Sequence, residues 1–351
     1  MKTMTSSRET PASPQLQRRR NRWVLWTRRI LLGLLALIVL LAAGGATYEA
    51  IMAVGDTKRY PAPGQLVDVG GHRLHLHCVG QGTPTVVLDA GLGAFSLDWG
   101  AVQPEIAKTT RVCAYDRAGL GWSEPGPRPR SPQQFADELY TLLTNAGVEG
   151  PYLLVGHSIS GKTARLFAGQ HPNQVAGMVL IDARHESVDD HLTPKEVAAE
   201  DAQQQHFQDM IKWMARLGLV RLLWAPAWPM ALPGSENLSA ETRTAIGVLQ
   251  ARPQQIETAL AEGAARFDSN SLINTAPPLG DTPLVVVASA QSIEHLPYWK
   301  EAQETMAGLS SNSRLIVASS GHAVHFDQPA LVVESIRQVV AAARTGQPLQ
   351  P

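Results

Sequence analysis

The chain has 351 residues, 30 Lys and Arg against 31 Asp and Glu, a formal net charge of −1, and two cysteines. That balance excludes a chain-wide electrostatic footprint for nucleic acid. Two cysteines exclude a disulfide-dense secreted scaffold. No His/Cys cluster has metal-ligand spacing, and there is no phosphate loop and no internal repeat, so no metal and no cofactor is expected.

Residues 1–17 are polar and rich in Ser, Thr and Pro. With the arginines that follow (Arg18, Arg19, Arg20, Arg22, Arg28, Arg29), they make 1–29 a basic, cytoplasmic, disordered tail by composition. Residues 30–46 are almost wholly apolar. That is about 17 residues, near the lower limit for crossing ~30 Å of hydrocarbon. Extension to 54 gives a transmembrane signal anchor over 30–54, with Trp23 and Trp26 suited to an interfacial belt. Basic residues precede the span, so the positive-inside rule puts the N-terminus in the cytoplasm and the rest outside it. The bilayer is then a partner. The competing reading is a signal peptide removed near Gly44-Gly45-Ala46, with export of the remainder; Thr27-Arg28-Arg29-Ile30-Leu31-Leu32 faintly resembles a twin-arginine signal.

Roughly 290 residues follow, enough for one large core with an inserted lid. Residues 72–78 read as a strand ending at Cys78. Residues 84–88 are a continuous apolar run, which suits a strand covered on both faces. The glycine-rich turn Asp89-Ala90-Gly91-Leu92-Gly93 comes next, and such a turn lets backbone amides face a pocket. A strand over 110–115, containing Cys113, runs into Asp116-Arg117-Ala118-Gly119-Leu120-Gly121-Trp122-Ser123. Then 151–155 is a strand that breaks at Gly156, and a helix is expected over 159–170. Between them lies Gly156-His157-Ser158-Ile159-Ser160-Gly161. A serine on so tight a strand-to-helix turn has the geometry of a nucleophile elbow, G-x-S-x-G with Ser160 at its last, small position. Ser160 is the poorer nucleophile, because Lys162 is too bulky for the tight side of its turn. A capping serine on an ordinary strand–turn–helix is the bland alternative.

The next strand, 177–182, ends in Asp182. About 100 residues then intervene that a sheet does not need, with helices expected over 194–214, 239–251 and 254–267. Strands over 283–288 and 314–317 close the pattern, the last running into Ser320-Gly321-His322-Ala323-Val324-His325-Phe326-Asp327-Gln328-Pro329.

The Gly91 turn, the Asp116 loop, the Gly156–Gly161 elbow and the Gly321–Pro329 segment, in this order, resemble the α/β-hydrolase family over residues 64–345. The resemblance implies an α/β-hydrolase sandwich: a mostly parallel eight-stranded sheet with helices on both faces. The core would be 64–182 and 281–345, and an inserted helical cap would be 183–280. It implies a serine hydrolase, carboxylesterase- or lipase-like, with Ser158 as nucleophile and His322 as base. His325 is the rival base, three residues on. The acid that orients the histidine departs from the family's commoner pattern. Where an acid usually follows the strand at 284–288, this chain has Ser289-Ala290-Gln291-Ser292. Asp182 is favoured, Glu294 is the alternative, and Asp116 a distant third, since Asp116 and Arg117 read as loop-fixing. The Leu92 and Ile159 amides would form the oxyanion hole. The strands carrying Cys78 and Cys113 would be neighbours, which permits a disulfide. The apolar cap suggests a small, hydrophobic, ester-like substrate. Serine at 158 disfavours an epoxide hydrolase or dehalogenase, which would place aspartate there. An aminopeptidase would want cap acids; Glu196, Glu200, Asp201 and Glu241 are present, but ordinary solvated faces explain them. Peptidase, thioesterase, lyase or haloperoxidase chemistry, or a catalytically silent ligand-binding member, remain the alternatives.

Overall fold

The computed structural model describes residues 14–190, 194–225 and 233–349, with side chains described for all of these except 14–21, 190 and 194–204. Residues 1–13, part of the expected disordered tail, lie outside that set, as do the side chains of Glu196, Glu200 and Asp201.

Helix α1 spans Pro14–Arg59 without a break. This corrects the tail at residues 14–29, which are helical. Proline is tolerated in the first turn of a helix, and arginine is a good helix former, so the apolar helix propagates back through the basic stretch. The part from Arg22 to Arg59 is long and apolar enough to cross a membrane, and its apolar window is not buried against the protein.

Eight strands follow: β1 (Gln65–Asp68), β2 (Arg73–Val79), β3 (Thr85–Asp89), β4 (Val112–Tyr115), β5 (Tyr152–His157), β6 (Val175–Ile181), β7 (Leu284–Ser289) and β8 (Ser313–Ala318). They form one sheet in the order β1-β2-β4-β3-β5-β6-β7-β8. Only β2 runs against the rest, pairing antiparallel with both β1 and β4. Strands β3, β4, β5 and β7 are buried throughout. The apolar runs in the sequence have this cause: helices cover both faces, so alternation between apolar and polar residues has no use. Along β3, Val87 points to one face, where it packs with Leu139, Leu142 and Phe167. Val86 and Leu88 point to the other, among Trp99, Val332, Ile336 and Val339. The first set comes from helices α2 (Pro132–Asn145) and α3 (Ser160–Gln170).

Between β6 and β7 the chain leaves the sheet. Helices α4 (Pro194–Arg216), α5 (Leu219–Leu223), α6 (Ala240–Gln250) and α7 (Pro253–Ala264) lie in this insert. The Ser239 side chain accepts from the Thr242 amide and caps α6; Pro253 opens α7. Two helices complete the core, α8 (Trp299–Ala307) and α9 (Pro329–Thr345).

Cys78 and Cys113 face each other across the β2–β4 pair and are joined by a disulfide, with the Cα atoms 4.0 Å apart. The bridge closes a loop with a sequence separation of 35 residues. By chain entropy such a loop is worth about 3–4 kcal/mol. The C78A/C113A double variant is expected to unfold at lower denaturant by about that free energy, followed by tryptophan fluorescence. An unchanged midpoint would show that the strand pairing alone holds this edge.

Candidate active site

The strand-to-helix turn between β5 and α3 holds Ser158 at φ 56°, in the left-handed region where non-glycine residues are uncommon. Two glycines make the turn feasible. A Cβ on Gly156 would stand 2.6 Å from the Ser160 carbonyl oxygen, and one on Gly161 would stand 2.5 Å from the Ala183 Cβ. The Ser158 amide donates to the Ile181 carbonyl at the end of β6, and the Arg184 amide donates to the Ser158 carbonyl. The elbow is therefore stitched to the strand end that presents Asp182. The glycine-rich turn after β3 presses on it from the other side: a Cβ on Gly91 would lie 2.7 Å from His157 Nδ1 and 3.5 Å from the Ser158 Cβ. The Leu92 and Ile159 amides have no backbone acceptor among the described residues.

His322 and Asp182 are brought together. The ring Nδ1 is 2.6 Å from Asp182 Oδ2. His322 is 47% exposed and Asp182 is fully buried. Asp182 also sits at positive φ, 40°. Three further donors reach its carboxylate: the Ser289 amide at 2.9 Å, the Ser292 hydroxyl at 2.5 Å and Trp299 Nε1 at 2.8 Å. Burial by itself would push this carboxyl up. The bonds from His322, Ser292, the Ser289 amide and Trp299 outweigh it and hold the group below its ordinary value. The Ser289–Ser292 segment, which lacks the acid of the commoner pattern, thus supplies donors to the acid on the neighbouring strand. Glu294 is exposed on the rim of a surface depression and makes no contact with His322. No hydrogen bond joins the Ser158 hydroxyl to the His322 ring in this structure; such contacts often tighten only when substrate arrives.

Asp116 is occupied elsewhere. It accepts from the Ser96 and Trp122 amides and lies 2.9 Å from His75 Nδ1. Arg117 is a buried hub. Its Nη1 donates to Asp89 Oδ1 at 2.7 Å, the Ala90 carbonyl at 2.6 Å and Ser160 Oγ at 3.1 Å. Its Nη2 donates to the Gly91 carbonyl at 2.6 Å, and both Nε and Nη2 donate to Glu262 on α7. Glu262 also accepts from the Gly93 amide. Burial opposes the guanidinium charge, but Glu262 and Asp89 overcome it and raise the Arg117 pKa. Burial raises Asp89, with Arg117 pulling against it. Sequence reasoning misses Glu262. A signal exists: Gln255, Thr258 and Glu262 recur at i, i+3 and i+7 on α7 and are all buried, so this helix turns a polar face inward.

A cavity of about 550 Å³ opens beside the elbow. Its wall is apolar (Leu92, Ile211, Met214, Val220, Ile256, Phe326), and His157, His322, His325 and Asp98 reach it. His325 is buried and lies 4.5 Å, ring to ring, from His157, which in turn lies 4.7 Å from His322. Burial, with His322 nearby, drives His325 down to about 3; burial and the two other histidines drive His157 well below its usual value. Both rings are held neutral near pH 7, whereas His322 is exposed and bonded to a carboxylate.

Residues 84–329 match a family model described as alpha/beta hydrolase fold. The chain belongs to the α/β-hydrolase fold family. A curated relative, uncharacterized protein YqjL of Bacillus subtilis, is 26% identical over 76% of this chain and 87% of its own length. Identity reaches 35% and 34% with two other curated relatives, but there the chain spans only 18% and 28% of their length. Among solved structures, the epoxide hydrolase CorEH aligns with a TM-score of 0.60 at 20% identity, over 79% of this chain and 98% of that one. A thermophilic esterase from Thermogutta terrifontis aligns with a TM-score of 0.58 at 23% identity, over 80% and 99%. At these identities the two structures share the α/β-hydrolase fold with this chain, and nothing finer is read from them.

Two outcomes follow from the charges. Glu262→Ala leaves Arg117 buried without its main counter-ion and is expected to cost about 3–5 kcal/mol of unfolding free energy. A loss under 1 kcal/mol, read by denaturant titration, would mean the hub is not held as described. Asp98 is buried, its pKa pushed up to about 7 by burial and the nearby Asp116 charge. A raised carboxyl stabilises the fold at low pH and loses that contribution as pH climbs through about 7. Asp98→Asn is therefore expected to gain thermal stability relative to the parent between about pH 4 and pH 7, by melting temperature at each pH. A gap that shrinks over that range would contradict the assignment.

Proposed function

We propose that the protein is a serine hydrolase that cleaves a hydrophobic ester-like substrate through an acyl-enzyme, and that α1 anchors it in a membrane with the catalytic domain outside the cytoplasm. The observation that carries the hydrolytic reading is the fully buried Asp182 bonded to His322 at the end of the strand to which the elbow is stitched. A serine hydroxyl needs a base to attack a carbonyl near neutral pH. With Nδ1 donating to Asp182, the His322 ring keeps Nε2 as its acceptor, the tautomer required to take the Ser158 proton. Asp182, held ionised by four donors, offsets the charge that then forms on the ring.

Ser158 Oγ bonds to the substrate carbonyl carbon, and the oxyanion takes hydrogen bonds from the Leu92 and Ile159 amides. One such donor is typically worth about 3–4 kcal/mol in the transition state. The tetrahedral adduct expels an alcohol, which leaves with the proton from His322. Water, deprotonated by the same ring, then releases the acid and restores the serine. The apolar cavity wall favours an apolar acyl or alcohol group. For the anchor, the supporting observations are the exposed apolar helix and its continuity through Gly44-Gly45-Ala46.

A fluorophosphonate probe is expected to label the purified chain, and Ser158→Ala to abolish labelling. Asp182→Asn is expected to lower kcat on a p-nitrophenyl ester by ~10⁴ while the fold persists by circular dichroism. A folded parent protein that takes no label and turns over no ester would leave the silent ligand-binding reading in its place.

A further inference from the structure

The membrane-proximal end of α1 is not a free tether. Gly45, Tyr48, Glu49, Ala53, Asp56 and Tyr60 run along it as a shielded stripe at helical spacing. A Cβ on Gly45 would stand 2.5 Å from the Leu217 carbonyl oxygen, so α1 touches the backbone of the turn between α4 and α5. Gly218, at φ 71°, packs its backbone beneath Tyr48. Glu49 takes two bonds from the buried Arg221 guanidinium, at 2.8 and 2.7 Å. Asp56 lies 2.9 Å from Arg221 and 3.3 Å from Arg252. Trp122 Nε1 donates to the Tyr60 carbonyl. Separating helix and cap would strand buried charges, so α1 and the cap move as one piece.

That rigidity fixes a height. The apolar stretch of α1 ends at residue 46, and the α4–α5 turn meets α1 at residues 45 and 48. The side chains around that turn are apolar and exposed: Phe207, Met210 and Trp213 on α4 at 59, 49 and 61%, Leu222 and Leu223 on α5 at 54 and 69%. Phe207, Met210 and Trp213 stand at i, i+3 and i+6, on the flank of α4 next to Ile211 and Met214, which line the cavity. Phe207 and Leu223 belong to both surfaces. Arg216 borders the patch, its guanidinium 5.6 Å from the Trp213 ring centre, and it and Lys212 pair with acids, Glu257 at 2.8 Å and Asp209 at 3.1 Å. An exposed apolar ridge that carries aromatic side chains and has a charged border suits an element lying in a membrane interface.

We propose that this face of the cap is seated in the same leaflet into which α1 runs, and that the cavity opens to lipid between Phe207 and Leu223. The occupant is the acyl-chain region of a bilayer, argued from continuity with the spanning helix. Substrate then enters laterally, as an amphipathic ester already dissolved in the membrane. The proposal rests on the reading of α1 as an anchor and adds to it a second, monotopic contact.

Both cysteines are in the disulfide, so one added cysteine can be labelled alone. The full chain, in phosphatidylcholine nanodiscs with and without doxyl-labelled lipid, would carry a nitrobenzoxadiazole probe in four separate variants: Leu37→Cys, Trp213→Cys, Leu223→Cys and Gln347→Cys. Gln347 is exposed at the opposite edge of the sheet and serves as the aqueous reference. Doxyl quenching at 213 and 223 is expected to exceed that at 347 severalfold and to approach that at 37. Quenching at 37 with 213 and 223 matching 347 overturns the proposal and leaves the anchor standing. Loss of quenching at 37 as well removes the anchor and the proposal together. Probes at 213 and 223 that are shielded from aqueous iodide yet unquenched by lipid would assign the face to a second copy of the chain, and also overturn it.

Discussion

One buried cation organises the end of the sheet that carries the candidate site. Arg117, on the loop after β4, binds the last residue of β3, two carbonyls of the glycine-rich turn, the Ser160 hydroxyl of the elbow and Glu262 of the cap. Its charge cannot reach water, so the fold must supply every acceptor or lose several kcal/mol. The β3 turn, the elbow and the cap are thereby held to one point in space. Gly93, whose amide also bonds Glu262, carries the turn's geometry directly to the cap. The cap behaves as a fixed wall on this side, because lifting α7 would uncover both the guanidinium and the amide.

The acid is held by a different arrangement. In an open parallel sheet the residues just past adjacent strand ends converge on one crevice. β6 and β7 are neighbours, so an acid leaving either one can address the histidine loop after β8. Here Asp182 leaves β6, and the segment leaving β7 turns donors toward it: the Ser289 amide and the Ser292 hydroxyl, with Trp299 behind them. On the proposed reading, what departs from the commoner pattern in sequence is a swap of roles between two adjacent strand ends. A carboxylate costs less to bury when the loop beside it supplies donors.

The core is legible in the sequence because its strands are buried on both faces and its turns need glycine for steric reasons. Ser158 and Asp182 are legible because each stands at the abrupt end of an apolar run. β1 is not: it is a four-residue edge strand with only Val67 buried, so it carries no apolar run. Ser160 reads as merely small, yet it donates to the Ala90 carbonyl and accepts from Arg117, a role no local pattern announces. Glu262 lies 145 residues from Arg117 along the chain, and only the folded cap makes them partners. Composition misjudges the tail between 14 and 29 because it speaks to solubility, whereas helicity there is inherited from the apolar segment behind it.

The unpaired polar atoms beside the cavity form one cluster, and their location argues for what the cavity must do. Asp98 Oδ1, Trp99 Nε1, His157 Nδ1 and His325 Nδ1 are all buried without a protein partner among the described residues. Trp99 and His325 are 4.9 Å apart, His325 and His157 4.5 Å. The cluster has an electrostatic consequence. Burial keeps His157 and His325 neutral, so no permanent positive charge faces His322 from the His157 ring, 4.7 Å away. A protonated His157 there would repel positive charge on the His322 ring and counteract the attraction of the Asp182 carboxylate. An apolar residue at 157 would also carry no charge, but it could not bond the His322 carbonyl, as His157 Nε2 does at 3.0 Å. A neutral, buried histidine satisfies both demands: it holds the His322 backbone in place and adds no charge beside its ring.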